Sequence, residues 1–336
     1  MIHWGIIGAG NIARRFAKSL AAYSEGRLVA VSCRAKEKGE AFAKEHGVPK
    51  VYVGHDALLA DAEIDAVYIA LPHGLHREWA IRSLQSKKAV LCEKPAVLNA
   101  GEMLDIAATA GESGVLFMEA MKTRFVPLYA KVKELIAEGR IGKPERIETS
   151  LCNLFSFDPE HPTYHTDPIQ GGCLLDEGIY CASWLEDFSE GMPAITDYEG
   201  TVEGGVDYYD KAEIKYPNLS GSLTCAFDRA GDRKAVIYGT EGKLVVDELH
   251  RPERLTIFEK DSNVPARDVV LPYVVDDFYG QIVHFSECMN CGKLQSNIMP
   301  LSASLRCAQL IDAVRDAKAC GDAKPVHTAR ELNGGL

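Results

Sequence analysis

The segment Gly8-Ala9-Gly10-Asn11-Ile12-Ala13 constrains the fold of this chain more strongly than any other segment. It follows an apolar run over Ile2–Ile7 that predicts a strand, and it opens a helical pattern over Ile12–Ala21. The first glycine allows a tight turn, and the second lets a pyrophosphate approach the backbone at the helix N-terminus. The pattern tolerates Ala13 in place of a third glycine. The two glycines between a strand and a helix therefore predict a dinucleotide site. The residues predicted to contact the dinucleotide here are Gly8, Gly10, Asn11 and Ile12.

Strand and helix patterns alternate through the first third of the chain. Further strand patterns occur at Leu28–Val31, Val51–Tyr52, Ala66–Ala70, Ala89–Cys92 and Val115–Glu119. Helical patterns lie between them at Lys36–Glu45, Ala57–Ala60, His76–Ser86 and Ala100–Gly111. This alternation is typical of a parallel sheet with helices on both faces, so we predict a doubly wound α/β domain of the Rossmann type over residues 1–122.

The pattern changes near Pro127 and predicts a second domain over residues 123–336. Helical patterns occur at Leu128–Ala137, Cys173–Leu185, Asp277–Met289 and Leu301–Lys318. One strand pattern begins at Glu145, and later ones include Asp197–Thr201, Asp210–Tyr216, Ser220–Asp228, Lys234–Tyr238 and Lys243–Val246. Strands separated by turn residues in this way predict an α+β domain with an antiparallel sheet.

Composition argues against several classes of protein. A formal net charge of -11 and a pI near 5.4 argue against nucleic-acid binding, which needs a basic surface. No apolar run is long enough to span a bilayer, and the first residues lack the basic segment and cleavage site of a secretory signal. The 10 cysteines are scattered and several lie in apolar runs, which predicts structural thiols in a cytoplasmic protein.

The end of the second strand favours NADP over NAD. An acid there would bind the ribose hydroxyls of NAD, whereas an arginine suits the 2′-phosphate of NADP. This chain has Ser32-Cys33-Arg34 followed closely by Lys36 and Lys38, and no acid lies between Ser32 and Glu37. We therefore predict that Arg34 and Lys38 contact the adenosine end of NADP, with NAD left open. The alternative is that these charges only solvate the start of a helix.

Leu71-Pro72-His73 follows the fourth strand, and His76 opens the next helix. Ligands bind at the carboxyl edge of an open α/β sheet, where this loop begins. We therefore predict that Leu71, His73 and His76 lie beside the nicotinamide half of the cofactor. The alternative is that both histidines are ordinary loop and first-turn residues.

Glu93-Lys94-Pro95 places an acid and an amine directly after the apolar run Ala89–Cys92. Proline keeps the preceding residue extended, so Lys94 is predicted to lie at a strand exit on the ligand-binding edge of the sheet. A fixed charge there predicts that Lys94 acts in catalysis and contacts the cofactor, with Glu93 facing the nicotinamide end. For the tripeptide alone, a turn with a surface ion pair is the alternative.

A second group of reactive residues lies in the segment Gly171–Tyr180. Asp176 and Tyr180 are four residues apart, so on a helix they share one face. A phenol titrates near pH ~10 and needs a nearby ammonium to exchange a proton near neutrality. We therefore predict that Tyr180 is the general acid–base and that Lys94 lowers its pKa. Asp176 is predicted to orient the substrate or the tyrosine, and a plain core role for Tyr180 is the alternative.

These motifs together resemble the glucose–fructose oxidoreductase, inositol dehydrogenase and rhizopine-catabolism (Gfo/Idh/MocA) family. The resemblance covers essentially the whole chain and is nearest to the branch of dimeric dihydrodiol dehydrogenases and NADP-dependent D-xylose dehydrogenases. The segments that carry it are Gly8–Ala13, Leu71–His73 with His76, Ala89–Pro95, Met118–Met121, Thr123–Phe125 and Gly171–Cys181.

The resemblance implies a Rossmann domain followed by a domain with an open, mostly antiparallel sheet, whose exposed face often forms the interface of a homodimer or larger oligomer. It implies an NAD(P)-dependent oxidoreductase that transfers a hydride between nicotinamide and a secondary alcohol or carbonyl of a sugar, polyol or cyclic diol. Lys94, Asp176 and Tyr180 would serve that chemistry, and Arg124 would be a cofactor-binding residue. Many relatives carry histidine at the position of Tyr180, and the nearest ones tend to carry an aromatic residue at Thr123.

Two other functions and one other site are compatible with these patterns. A non-catalytic cofactor-binding sensor could use the same fold, as could a hydrolase that oxidises its sugar transiently. Four possible metal ligands lie in one proline-containing loop: Asp158, His161, His165 and Asp167. Because that loop is irregular, we predict a polar cover over the mouth of the site and no metal centre.

Overall fold

The computed structural model describes residues 1–158 and 160–320, and its first sheet is fully parallel. Its strands are β1 (Ile2–Ile7), β2 (Gly26–Cys33), β3 (Lys50–Val53), β4 (Ala66–Ile69), β5 (Ala89–Glu93) and β6 (Phe117–Ala120). The helices between them are α1 (Asn11–Leu20), α2 (Lys36–His46), α3 (Asp56–Leu59), α4 (His76–Gln85) and α5 (Ala100–Ser113). The strand order β3-β2-β1-β4-β5-β6 confirms the predicted doubly wound architecture.

Apolar side chains cover both faces of this sheet. Trp4 and Tyr68 pack on one face with Phe16 of α1, whose ring stacks on Tyr68 at a centroid distance of 3.8 Å. Ile7 and Val67 belong to the separate cluster on the other face. The order of the strands reverses between β1 and β4, so their carboxyl ends open a crevice, which is where such sheets bind ligands.

The second sheet has eight strands and is mostly antiparallel, as predicted. They are β7 (Pro144–Cys152), β8 (Ala194–Glu203), β9 (Val206–Lys215), β10 (Ser220–Ala226), β11 (Ala235–Gly239), β12 (Gly242–Val246), β13 (Arg254–Glu259) and β14 (Pro265–Val270). Their order is β14-β13-β12-β11-β7-β10-β9-β8, in which only β7 and β10 pair in parallel. The helices of this half are α6 (Pro127–Ala137), α7 (Ile179–Phe188), α8 (Tyr279–Asn290) and α9 (Leu301–Cys320).

Two parts of this half differ from the sequence patterns. The strand β14 was not predicted, because it is an edge strand whose side chains are mostly exposed and show no apolar alternation. The predicted helix Cys173–Leu185 is instead a π-helical turn at Leu174–Gly178 that continues into α7. The boundary between residues 122 and 123 stays a prediction and falls in a 3₁₀ turn, and residues 321–336 of the predicted second domain lie outside the described residues.

No helix within residues 1–158 and 160–320 is long and apolar enough to cross a membrane.

A buried carboxylate joins the two halves of the molecule. Asp277, just before α8, accepts a hydrogen bond from Arg15 of α1 at 2.5 Å and a second one from Lys122. Arg251 adds a third cation at 3.2 Å. The side chains of Asp277 and Lys122 are only 4% and 6% exposed, so water compensates little for a lost partner.

We predict that Asp277→Asn lowers the free energy of unfolding by about 3 kcal/mol, because it leaves the Lys122 ammonium buried without its counter-charge. Urea denaturation at pH ~7 measures this change. Asp268→Asn is the matched control, since Asp268 also pairs with an arginine but is exposed on β14. That variant is expected to lose less than about 1 kcal/mol, and equal losses in the two variants would contradict the buried role of Asp277.

Candidate active site

The predicted dinucleotide turn lies at the end of β1 and leaves room above the start of α1. Gly8 adopts φ +104°, and a Cβ there would lie 2.4 Å from the carbonyl oxygen of Ala70. No described atom lies within 4 Å of the position that a Cβ on Gly10 would take. Asn11 and Ile12 are exposed on the first turn of α1. The open backbone at this helix N-terminus therefore fits a pyrophosphate.

Two predicted cofactor residues, Arg34 and Lys38, are exposed beyond the end of β2. Neither forms a hydrogen bond or an ion pair with another residue in the described part of the chain. At the strand end itself, the buried Ser32 hydroxyl lies 2.7 Å from Nδ1 of His55, so no carboxylate occupies the position that would bind ribose hydroxyls. These features fit a 2′-phosphate better than a free ribose.

The loop after β4 brings His73 to the centre of the crevice, next to Leu71. A 3₁₀ turn at His73–Leu75 buries the His73 ring, and its Nδ1 lies 3.0 Å from the carbonyl oxygen of Gln170. Its Nε2 is 3.9 Å from Oδ1 of Asp176. Burial lowers the pKa of His73 to about 3, so the imidazole is neutral at physiological pH and Nδ1–H donates to Gln170.

His76, predicted to contact the cofactor, instead holds two loops together. Its ring is 0% exposed. Nδ1 lies 2.7 Å from the carbonyl oxygen of Pro95, and Nε2 lies 2.7 Å from that of Leu71. Both ring nitrogens therefore face protein backbone, which leaves neither of them to bind a ligand. Helical periodicity does not show that this first residue of α4 faces the protein interior.

Glu93 is also used largely within the protein. The Tyr68 hydroxyl donates to its Oε1, and the Lys94 backbone N–H donates to its Oε2 at 3.3 Å. Burial raises the pKa of Glu93 above its ordinary value. The Glu93 carboxyl group therefore links the end of β5 to Tyr68 on the neighbouring strand β4. Its contact with the nicotinamide end of the cofactor stays a prediction.

The three predicted catalytic residues meet at the exit of β5. Lys94 Nζ donates to Oδ1 of Asp176 at 2.6 Å and to the backbone oxygen of the same residue at 2.7 Å. The same ammonium lies 4.7 Å from the centre of the Tyr180 ring. Lys94 follows a strand of the first sheet, whereas Asp176 and Tyr180 belong to the second half, so the three residues form one group only in the folded chain.

Burial and the Lys94 ammonium act in opposite directions on both acids of this group, and their balance differs between the two. Burial alone would raise the pKa of Asp176, but the Lys94 ammonium outweighs burial and lowers the pKa to about 2. Burial raises the pKa of Tyr180 well above its ordinary value, and Lys94 opposes that rise. Lys94 thus acts on the phenol pKa in the predicted direction, but burial has the larger effect, and the role of Lys94 in proton transfer stays a prediction.

The π-helical turn that carries Asp176 depends on a close approach by another strand. Gly172 adopts φ +94°, and a Cβ there would lie 2.5 Å from both carboxylate oxygens of Asp207 on β9. Without that Cβ, the Asp207 carboxylate accepts a hydrogen bond from the Leu174 backbone N–H at 2.8 Å. The turn is thereby held against the second sheet, with Asp176 facing Lys94.

Arg124, which the resemblance placed among the cofactor-binding residues, is buried in the second half of the molecule. Its Nε and Nη2 donate to the hydroxyl and carbonyl oxygens of Ser183 at 2.8 and 2.7 Å. Its Nη1 lies 3.3 Å from Asp187 Oδ1. Only 3% of Arg124 is exposed, so it anchors α7 and offers no donor to a cofactor.

The predicted structural role of the cysteines agrees with their surroundings. The nine cysteines whose side chains the structure describes are free thiols, and all but Cys291 are buried. Three potential metal ligands, Cys173, Asp210 and Cys225, do lie within 4.8 Å of one another in the second half. Cys225 donates to Cys173 at 3.7 Å and Cys173 donates to Asp210 at 3.6 Å, so these groups satisfy one another as a hydrogen-bonded chain.

Sequence patterns did not indicate that His250 and Lys122 lie beside the Tyr180 ring, whereas His165 belongs to the loop that was predicted to cover the mouth of the site. His250 packs edge-on against Tyr180 at a centroid distance of 5.7 Å, and Lys122 Nζ lies 5.7 Å from the same ring centre. His165 Nε2 lies 3.7 Å from Asp176 Oδ2. Glu177 lies within the segment Gly171–Tyr180, but its only sequence signal is its position next to Asp176.

The two glycines of the first turn predict opposite effects of the same substitution. Gly8→Ala is expected to destabilise the protein by at least about 1 kcal/mol, since alanine is strained at this φ and would contact Ala70. Gly10→Ala is expected to leave the melting temperature unchanged but to weaken dinucleotide binding, because its Cβ would occupy the space above α1. Thermal unfolding and fluorescence titration with NADPH measure the two effects. Unchanged NADPH binding by Gly10→Ala would contradict this placement of the pyrophosphate.

Comparison with known proteins agrees with this geometry. Residues 2–121 match the family model described as "Oxidoreductase family, NAD-binding Rossmann fold". Residues 129–245 match the model described as "GFO/IDH/MocA C-terminal domain".

Individual relatives match nearly the whole chain. The trans-1,2-dihydrobenzene-1,2-diol dehydrogenase of Mus musculus is 32% identical over 333 residues, which cover 94% of this chain and 96% of that protein. The scyllo-inositol 2-dehydrogenase (NADP(+)) IolU of Bacillus subtilis is 29% identical over 329 residues, with the same two coverages of 94% and 96%.

A similar solved structure is that of a 3-ketoreductase from Actinomadura kijaniata in complex with NADP and TDP-benzene. Its TM-score is 0.84 at 27% identity, and the match covers 94% of this chain and 97% of that one. Family models that match both halves, together with relatives of this identity and coverage, confirm the predicted class of nicotinamide-dependent oxidoreductase. The chain therefore belongs to the Gfo/Idh/MocA oxidoreductase family.

Proposed function

We propose that this protein is an NADP-dependent dehydrogenase or reductase acting on a secondary alcohol or carbonyl of a polyol, sugar or cyclic diol. The observation that carries the proposal is the Lys94 ammonium, fixed by Asp176 at 2.6 Å and lying 4.7 Å from the Tyr180 ring centre. The group lies beside the crevice at the carboxyl edge of the first sheet. The named activities of the dihydrodiol dehydrogenase, the inositol dehydrogenase and the ketoreductase support the substrate class.

Each residue of the group has a proposed task. NADP, when bound, would supply the hydride acceptor for alcohol oxidation and the hydride donor for carbonyl reduction. Tyr180 takes the hydroxyl proton in oxidation and gives it back in reduction. Lys94 favours the phenolate form and polarises the substrate oxygen, and Asp176 holds Lys94 in position. Asp176 keeps its charge at any pH well above 2, so the ion pair persists through the neutral range.

The cofactor preference follows from the surface next to β2. Arg34 and Lys38 supply positive charge there and no acid stands at the strand end, which supports NADP over NAD. The inositol dehydrogenase is named for NADP, and the ketoreductase structure contains it.

We further propose a homodimer or larger oligomer, formed through the exposed face of the second sheet, in the cytoplasm. That face carries polar side chains, including Arg146, which pairs with Glu148 at 2.8 Å and Glu213 at 2.9 Å. The free thiols support a reducing compartment.

We predict that Tyr180→Phe lowers kcat by about two to four orders of magnitude while the Kd of NADPH stays unchanged. Lys94→Met should also lower kcat and should move the rising limb of the oxidation pH profile to higher pH. Burial raises the pKa of Tyr180 and the Lys94 ammonium lowers it, so removal of the ammonium raises this pKa further and shifts the profile to higher pH.

Steady-state kinetics over a pH series measures both effects. The control is Tyr238→Phe on β11, which removes a hydroxyl that donates to Glu148 away from the crevice and should leave kcat unchanged. Near-normal turnover by Tyr180→Phe would refute its acid–base role, and an unmoved profile for Lys94→Met would show that Lys94 acts only by positioning.

Arg34→Ala is predicted to weaken NADPH binding about tenfold or more and to leave NADH binding nearly unchanged, because only NADP carries the phosphate that Arg34 would bind. Fluorescence titration with both cofactors measures this. Lys44→Ala, at the other end of α2, is the matched control. Equal weakening of both cofactors, or tighter NADH binding by the unmodified protein, would contradict the preference for NADP.

A further inference from the structure

Lys94 takes up part of the hydrogen-bonding capacity of Asp176. Its Oδ1 and its backbone oxygen both accept hydrogen bonds from Lys94. The rings of His73 and His165 lie 3.9 and 3.7 Å from its two carboxylate oxygens. A substrate hydroxyl that donated a hydrogen bond to Asp176 would therefore share this carboxylate with the Lys94 ammonium. A second acceptor nearby would let the site recognise another hydroxyl without that competition.

Glu177, the next residue of the π-helical turn, offers such an acceptor and is not paired with a cation in the described chain. Only 7% of the residue is exposed. Asn153, which follows β7, donates from Nδ2 to Oε1 of Glu177 at 3.0 Å and so fixes one carboxylate oxygen. No residue in the described chain donates a hydrogen bond to the other oxygen, Oε2, which nevertheless retains some solvent contact. A held carboxyl group with one open oxygen is suited to accept a hydrogen bond from a ligand.

Glu177 directly follows Asp176 in the chain, and its carboxyl group interacts electrostatically with the residues around Tyr180. Burial is the main cause that raises the pKa of Glu177 to about 7, the Asp176 charge adds to it, and Lys94 and Arg233 oppose it. Glu177 in turn contributes to the raised pKa values of Tyr180 and Tyr164. The charges of Lys94 and Asp176 therefore act on both the Glu177 carboxyl group and the Tyr180 hydroxyl.

We propose that Glu177, oriented by Asn153, is a specificity-determining residue that hydrogen-bonds a second hydroxyl of the substrate, next to the carbon that is oxidised. The proposal rests on the proposed function and narrows its substrate to compounds with at least two neighbouring hydroxyls. A hydroxyl suits this site better than an ammonium. It can pair with either protonation state of Glu177, whereas the nearby charges of Lys94 and Arg233 would repel a cation.

Paired substrates test this assignment with saturating NADP. Values of kcat/KM for trans-1,2-cyclohexanediol and for cyclohexanol are compared in the unmodified protein, Glu177→Leu and Glu177→Gln. Glu177→Leu should lower the value for the diol by roughly tenfold to a hundredfold, the effect of one lost hydrogen bond to a charged group. The value for cyclohexanol should not fall, because cyclohexanol has no second hydroxyl and because loss of the Glu177 charge removes one cause that raises the pKa of Tyr180. Glu177→Gln keeps an acceptor and the shape of the side chain, so its loss with the diol should be smaller.

The controls separate this inference from the proposed function. Glu138→Leu, on the surface after α6, removes a carboxylate far from the crevice and should change neither substrate. Equal losses for diol and cyclohexanol in Glu177→Leu and Glu177→Gln would overturn the specificity role, while the dehydrogenase assignment would stand. If the unmodified protein oxidised neither this pair nor an inositol, the proposed function would fail, and the assignment of Glu177 would fail with it.

Discussion

The ion pair between Lys94 and Asp176 is the contact on which the rest of the site depends. Their side chains are only 12% and 15% exposed, so both charges have lost most of their hydration. Such a pair persists only when its hydrogen bonds are well formed, and here the ammonium also reaches the backbone oxygen of Asp176. Because the two residues lie in different halves of the molecule, the pair sets the distance between the edge of the first sheet and the turn that leads to Tyr180.

Several buried polar groups hold the backbone on each side of this pair. On the first sheet, His76 joins the loops at Leu71 and Pro95. On the second half, Asp207 accepts the Leu174 N–H at the start of the π-helical turn. Away from the crevice, Asp277 ties α1 to the second half through Arg15. An ammonium that acts in catalysis, as proposed for Lys94, must be held within a fraction of an ångström of its working position, and these contacts restrict the movement of the backbone around it.

Much of the architecture could be predicted because it depends on local patterns. Periodicity identified nearly every strand and helix of the first half, and the strand-exit rule placed Lys94 and Leu71 on the same edge. The failures involve contacts between distant parts of the chain. Arg124 carries the charge expected of a phosphate ligand, but Ser183, 59 positions later, takes its donors. The sequence around His76 does not show that both of its ring nitrogens face carbonyl oxygens. Nor does local sequence show that Lys94 binds the Asp176 carboxylate while Asn153 binds only one oxygen of Glu177.

The division of work between Lys94 and Asp176 is tested most directly by a double-mutant cycle on kcat/KM with Lys94→Met, Asp176→Asn and the double variant. If Asp176 acts by holding the ammonium beside Tyr180, removing Lys94 abolishes its contribution, so the double variant should be about as impaired as the more impaired single variant. Losses that simply multiply, so that the two free-energy costs add, would show that the residues act independently. That result would contradict the central role of their ion pair.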